Sequence, residues 1–253
     1  MKLRFLGTGD GECKIKRQTS KDFRRRPSLL IDEKLLIDPT ADIFDFAEFF
    51  SFDDLYDTVD AVLITHSHPS HFDPEAIRSL AKGRALHVYA TEAVLARLAE
   101  VEGILLHPIK PLVMYDVGEY RVIALPAPHD AGEEETALHF IVCRDKTLLY
   151  ALDGGGLHYD AWWLLKRLRV DVAVFDCALA DAEPSCAIME HGTLSSVSLC
   201  REILSSAGVL SERSRVVLSH IPSDKTKSVH EELSEGASEL GMTVAYDGFF
   251  LTV

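Results

Sequence analysis

The sequence predicts an α/β fold in which helices cover sheets and two sheets stack face to face. Two observations lead there. Short aliphatic or β-branched runs recur from one end of the chain to the other, with polar loops or helix-like windows between them. Such runs are also numerous for one open sheet, which favours a stack of two; periodicity alone leaves the number of sheets open. No repeat, low-complexity tract or linker-like stretch interrupts the 253 residues, so one domain over residues 1–253 is expected.

In chain order, the first strand-like run is Lys2–Leu6, followed by Ser28–Ile31, Lys34–Ile37, Ala61–Thr65 and His87–Ala90. Helical windows fit Pro74–Ala81 and Thr91–Ala99. The middle of the chain supplies aliphatic runs at Tyr120–Leu125, Leu138–Arg144, Thr147–Leu152 and Val172–Phe175, with a helical window at Tyr159–Leu168. A further helix fits Thr193–Ala207: Thr193 or a neighbour can cap its start, and Gly208 stands where a helix stops. His191 then lies just before a helix N-terminus. Strands at Arg215–Ser219, Thr243–Ala245 and Phe249–Val253, with a helix at Lys225–Leu240, complete the reading.

Hydrophobic residues make up 47% of the chain and charged residues 26%, the balance of a globular protein. The longest apolar stretches, such as Ala61–Ile64 and Leu148–Leu152, are too short to span a bilayer, so no membrane partner is expected. The opening Met1–Gly7 runs into Gly and Asp before a signal-peptide core can form, and a cytoplasmic location is expected. Cys13, Cys143, Cys177, Cys186 and Cys200 are odd in number and scattered without a C-x-x-C pair. Reduced thiols are therefore expected, not a disulfide framework or a closed zinc cluster.

A net charge of -14 does not suit a long polyanion, because phosphate contacts need clustered Lys and Arg. No long nucleic-acid partner is expected. One segment departs from the average: Lys14, Lys16, Arg17, Lys21, Arg24, Arg25 and Arg26 are interrupted among the acids only by Asp22. It reads either as a solvated loop or as a local positive lip that draws in a small anionic substrate.

The most informative segment is Leu63-Ile64-Thr65-His66-Ser67-His68-Pro69-Ser70-His71-Phe72-Asp73. An apolar strand ends directly in three histidines spaced H-x-H-x-x-H. Imidazole is the commonest ligand for zinc-like ions, and a strand end holds ligands rigidly while leaving a coordination position free. Asp153 also ends an apolar strand, and glycines follow it. A buried, unpaired carboxylate there is costly, so a cation partner is the economical explanation.

These residues resemble the H-x-H-x-D-H signature of the metallo-β-lactamase superfamily, whose fold is a four-layered αβ/βα sandwich. Leu6-Gly7-Thr8-Gly9-Asp10 is similar to the Gly-Thr-Gly opening of its phosphodiesterase and tRNase Z-like branch, and the chain resembles the carbon–phosphorus lyase accessory phosphodiesterases within that branch. Arg25-Arg26-Pro27-Ser28-Leu29-Leu30-Ile31, then Leu36-Ile37-Asp38, resemble the next two strands of that branch. Pro126-Ala127-Pro128-His129, Leu149-Tyr150-Ala151-Leu152-Asp153-Gly154-Gly155 and Val217-Leu218-Ser219-His220 match later landmarks in order.

The resemblance implies a first divalent ion held by His66, His68 and His129, and a second held by His71 and His220, with Asp153 bridging. Zinc or manganese is expected, in one or two copies. Asp38, at a strand end, is a candidate for orienting a ligand histidine. Ser70 stands where the signature has a metal-ligating aspartate, and a hydroxyl is a poorer ligand. The second site should be weaker, or completed by water or by Glu190, Asp73 or His139. An N-terminal structural zinc common in related phosphodiesterases is not expected, since only Cys13 stands in that region.

The resemblance also places His191, in Glu190-His191-Gly192-Thr193, opposite the metals as a general acid, with Asp153 and His191 as the catalytic pair. The strand end at Asp176-Cys177 fits the same branch. His87, His107, His139, His158 and His230 match no signature position and are expected to be structural or superficial. The chain has no G-x-S-x-G elbow and no P-loop. The expected activity is hydrolysis of a small phosphate ester or cyclic phosphate. Alternatives are hydrolysis of a lactone, thioester or amide, or a catalytically impaired metal- or ligand-binding module. A homodimer is left open.

Overall fold

A computed structural model describes residues 1–11, 13, 15–98, 102–182, 185–223 and 230–253. Its strands are β1 (Lys2–Gly7), β2 (Ser28–Ile31), β3 (Leu35–Ile37), β4 (Ala61–Leu63), β5 (Leu86–Ala90), β6 (Ile104–Pro108), β7 (Met114–Val117), β8 (Tyr120–Pro126), β9 (Leu138–Cys143), β10 (Thr147–Ala151), β11 (Val172–Asp176), β12 (Arg215–Ser219), β13 (Thr243–Val244) and β14 (Phe250–Thr252). They form two 7-stranded sheets, ordered β14-β1-β2-β3-β4-β5-β6 and β13-β12-β11-β10-β9-β8-β7. The helices are α1 (Asp42–Phe50), α2 (Pro74–Ala81), α3 (Glu92–Leu95), α4 (Tyr159–Leu165), α5 (Leu194–Ser206) and α6 (His230–Glu239).

Side chains alternate across each strand, and this alternation makes the layers. Leu29, Ile31, Leu35, Ile37 and Leu63 face inward and pack with Leu148, Tyr150, Val172, Val174 and Val217 of the other sheet. Leu30, Leu36, Val62 and Val88 face outward and meet Ile43 and Phe46 of α1, Ile77 of α2 and Val94 of α3. On the opposite flank Leu149, Ala173, Phe175 and Leu218 are covered by Ala161 of α4, Val197 of α5 and Leu233 of α6. The result is the four-layered αβ/βα sandwich.

Strand direction gathers the chemistry at one end. β3, β4 and β5 are mutually parallel, as are β10, β11 and β12. β8 and β1 run with them through antiparallel neighbours. At that end Gly9 bridges to Ile221, with Ile221 N donating to Thr8 O at 2.8 Å. A Cβ on Gly9 would lie 2.1 Å from Ser223 Oγ and 3.0 Å from Arg24 Cβ, so glycine allows the close approach of the two sheets there without displacing Ser223.

Several expectations need correction. α1 was not expected: Asp42–Phe50 is rich in Phe, which also suits strands, yet it buries Ile43 and Phe46 one turn apart. β6 and β7 were not expected either; both are edge strands with exposed side chains, so neither shows clean alternation. The window Thr91–Ala99 is shorter: α3 gives way to a 3₁₀ turn at Ala96–Leu98, and Ala99 lies outside the described residues. In the window Lys225–Leu240 the helix is α6, and residues 225–229 lie outside the described residues.

The basic segment is not a single positive lip. Arg24 is fully buried: Nη1 donates to Thr8 Oγ1 and to Ala245 O, each at 2.8 Å, and Nη2 lies 3.0 Å from His230 Nδ1. Burial lowers its guanidinium to about 10. Arg25 pairs with Asp45 at 2.7 Å and Asp247 at 3.3 Å, and Arg26 with Asp42 at 2.9 Å. These arginines tie α1 and the C-terminal turn to the chain start. Lys16, Arg17 and Lys21 are exposed, and Lys14 lies outside the described residues.

Candidate metal centre

β4 stops at Leu63, and the next residues carry the histidines into the end of the sandwich. His66 Nε2, His68 Nδ1 and His129 Nε2 face a common point; the last two are 3.2 Å apart. His71 Nε2 and His220 Nε2 approach to 3.3 Å. Between the two groups stands Asp153. Its Oδ2 is 2.5 Å from His71 Nε2 and 3.5 Å from His66 Nε2, and its Oδ1 is 3.3 Å from His220 Nε2. The structure thus brings together all six residues named from the sequence for metal binding, with His191 beside them.

The donor set fits a cation. His66 Nε2 is buried without a hydrogen-bond partner, an expensive state for a polar atom. Burial works against the Asp153 charge, yet His220 and His71 hold its carboxyl well below the usual range. Burial would lower His71, but Asp153 and Asp38 outweigh it and raise the imidazole to about 10. In the ion-free chain, then, a proton on His71 supplies the positive charge the carboxylate demands. Burial, reinforced by the His71 charge, pushes His66 far down, and burial also lowers His129. Neutral imidazoles are what a metal requires.

A second layer of groups orients the donors. Asp38, at the end of β3, lies 2.9 Å from His71 Nδ1 and accepts from Thr65 N and Thr65 Oγ1, each at 2.8 Å. Thr65 Oγ1 is 3.0 Å from His66 Nδ1. Glu135 accepts from Ser67 N and Ser67 Oγ, each at 2.6 Å, and pins the histidine loop. Glu190 lies 3.0 Å from His129 Nδ1. Outer carboxylates of this kind fix which ring nitrogen faces the ion.

Asp176, fully buried at the end of β11, was noticed in the sequence only as a strand end. Its Oδ2 is 2.7 Å from His191 Nδ1, its Oδ1 is 3.5 Å from His220 Nδ1, and Ala178 N donates to Oδ1 at 2.6 Å. Asp176 thus contacts both histidines, and with Asp153, His191 and His220 it forms a further group of converging ligand atoms. Burial acts to lower His191, but Asp176 outweighs it and raises the imidazole. The available signal was its position, equivalent to Asp38 and Asp153 on neighbouring strands.

Ser70 lines an adjoining cavity of about 610 Å³ with Asp10, Cys13, Arg26, Asp42 and Pro69. The candidates for completing a second site are engaged elsewhere. Asp73 caps α2, accepting from Glu75 N and Ala76 N, and also accepts from Ala41 N. Glu190 backs His129. His139 is buried behind Asp153, where burial lowers it to about 4. His87 pairs with His107 at 2.8 Å, His158 caps α4, and His230 meets Arg24.

The sequence profile of the beta-lactamase superfamily domain matches residues 33–221. No curated protein matches the chain. Among solved structures it resembles the metallo-beta-lactamase fold protein YhfI from Bacillus subtilis, with a TM-score of 0.76, 16% identity, and coverage of 99% of this chain and 98% of that one. Zn(2+)-bound PqqB from Methylobacterium extorquens gives 0.73 at 19% identity, covering 100% of both chains. The short form of human tRNase Z gives 0.69 at 14% identity, covering 100% of this chain and 99% of that one. At such identities the likeness is one of fold.

Proposed function

The chain belongs to the metallo-β-lactamase superfamily, and from that premise we propose that it is a metal-dependent phosphodiesterase acting on a small phosphate ester or cyclic phosphate. One observation carries the reading: a buried histidine and aspartate cluster stands beside His191, whose Nδ1 lies 2.7 Å from Asp176 Oδ2 and 3.5 Å from Asp153 Oδ1.

His66 Nε2, His68 Nδ1 and His129 Nε2 would hold a first divalent ion, and His71 Nε2 with His220 Nε2 a second, with Asp153 shared. Imidazole-rich donors suit zinc, and manganese is the runner-up. Such ions supply Lewis acidity and activate water for attack at phosphorus. The chain's own groups do the rest. Asp38 and Asp176 keep His71 and His220 turned inward. His191 has Nδ1 occupied by Asp176, which leaves Nε2 to deliver a proton to the departing oxygen. Ser70 lacks the charge of the signature's aspartate, so a second ion would be held more weakly than the first.

The test is turnover of bis(p-nitrophenyl) phosphate against lactone and thioester panels, with metal content measured on the same samples. The expected result is phosphodiester turnover that falls about 10²–10⁴-fold in His191→Ala while bound metal is unchanged. Lactone or thioester turnover with inert phosphodiesters sinks the reading in favour of a different hydrolase.

A further inference from the structure

His139 is buried in the core yet touches the centre from behind. It stands on β9 opposite Leu125 of β8, and shares the sheet face of Ile141, which is packed under helices. An imidazole on such a face needs a specific partner. Its Nε2 is 3.2 Å from the backbone carbonyl oxygen of Asp153. A carbonyl only accepts, so Nε2 carries the hydrogen and donates it.

The bond falls where the backbone is least able to hold itself. Asp153 has φ 55°, in the left-handed region that favours glycine. A Cβ on the following Gly154 would lie 3.1 Å from His139 Nε2 and 3.1 Å from Pro128 Cδ. The bare glycine therefore lets the imidazole and Pro128, neighbour of His129, close on the turn from two sides. From this turn the Asp153 carboxylate reaches His71 and His220 together.

We propose that His139 is a positioning residue: by donating to the Asp153 carbonyl it locks the left-handed turn and aims the shared carboxylate into the centre. The inference rests on the metal-centre reading above, and it separates His139 from the structural role assigned to the unmatched histidines.

Metal-stripped wild type, His139→Leu, His139→Gln and Gly154→Ala would be titrated with zinc against a chromophoric chelator, with urea denaturation of each in the stripped state. His139→Leu, which fills the space without a donor, is expected to bind zinc at least about 10-fold more weakly while unfolding cooperatively. His139→Gln, whose amide nitrogen can reach the place of Nε2, is expected to restore most of the affinity. Gly154→Ala presses its Cβ against the ring and Pro128 and should weaken binding in the same direction, by less than His139→Leu.

Native affinity in His139→Leu overturns the proposal. So does equal weakening in His139→Leu and His139→Gln, because a packing role does not distinguish donor from hydrocarbon. Should His139→Leu fail to fold, near-native binding by His139→Gln with weakened Gly154→Ala supports the proposal, and native binding by Gly154→Ala overturns it. Wild type that binds zinc without hydrolysing phosphodiesters removes the functional reading alone. Wild type that binds no zinc removes both.

Discussion

Asp38 (φ 52°), Asp153 (φ 55°) and His220 (φ 57°) each end a strand in a conformation that side chains rarely adopt. Strain of about 1–3 kcal/mol per residue persists only where the surroundings over-determine it. Here Thr65, His139 and the Gly9–Ile221 bridge do so. Removing the Asp153 charge with its size retained, as Asp153→Asn, is expected to cost at least about 100-fold in zinc affinity, read by chelator competition. A second prediction concerns protons. Asp176 raises His191, so the proposed general acid keeps its proton to higher pH. Asp176→Asn should move the alkaline limb of the kcat profile to lower pH, and an unmoved limb would separate His191 from the proton transfer. A third uses His71, raised to about 10 in the ion-free chain. Its contribution to stability is complete below its unfolded value near 6.5 and is lost as pH rises toward 10. Urea denaturation of stripped protein should therefore show stability falling over that window, and saturating zinc should abolish the fall because the ion replaces the proton. The strand-end acids and histidines were legible in the sequence. Asp176 was legible only as a position, because its role depends on which ring nitrogens it faces.

Helix α5 shows local chemistry and tertiary need in agreement. Thr193 accepts from Ser196 N, Ser196 Oγ returns to the Thr193 backbone, and the start expected from the sequence is the start observed. Thr193→Ala should lower stability by about 1 kcal/mol, measured by urea denaturation. Helix α1 shows the reverse. Its first turn has no side-chain cap, and its Phe residues suit strand as well as helix. Asp42 and Asp45 are instead held by Arg26 and Arg25, residues distant in sequence. Arg25 is buried with Asp247, whose carboxyl burial raises to about 6. Arg25→Ala leaves that acid buried without its main cation, and a loss of about 3–5 kcal/mol is expected. A local reading misses α1 because the groups that anchor it come from another part of the chain.

The net charge of the molecule is -14, and within the basic segment Arg24, Arg25 and Arg26 are engaged in hydrogen bonds and ion pairs. The field far from the site is therefore negative, and it repels an anionic substrate. For a phosphodiester substrate kcat/KM should rise as ionic strength increases from low salt to physiological values, because screening weakens that repulsion. A fall with salt would restore the idea of a steering lip. The same field is expected to disfavour long nucleic acids, whose binding needs many phosphate contacts.

Periodicity and strand-end chemistry were properties of the sequence alone. Recurring apolar runs pointed to sheets covered by helices with their number left open, and three histidines after an apolar strand pointed to a cation. Which carboxylate stands behind which imidazole, where the arginines go, and how Asp153 is held in a left-handed turn were decided only by tertiary structure. The reason is distance along the chain: those contacts join residues such as Asp38 with His71, Arg24 with His230 and His139 with Asp153, and no local pattern encodes a partner that far away.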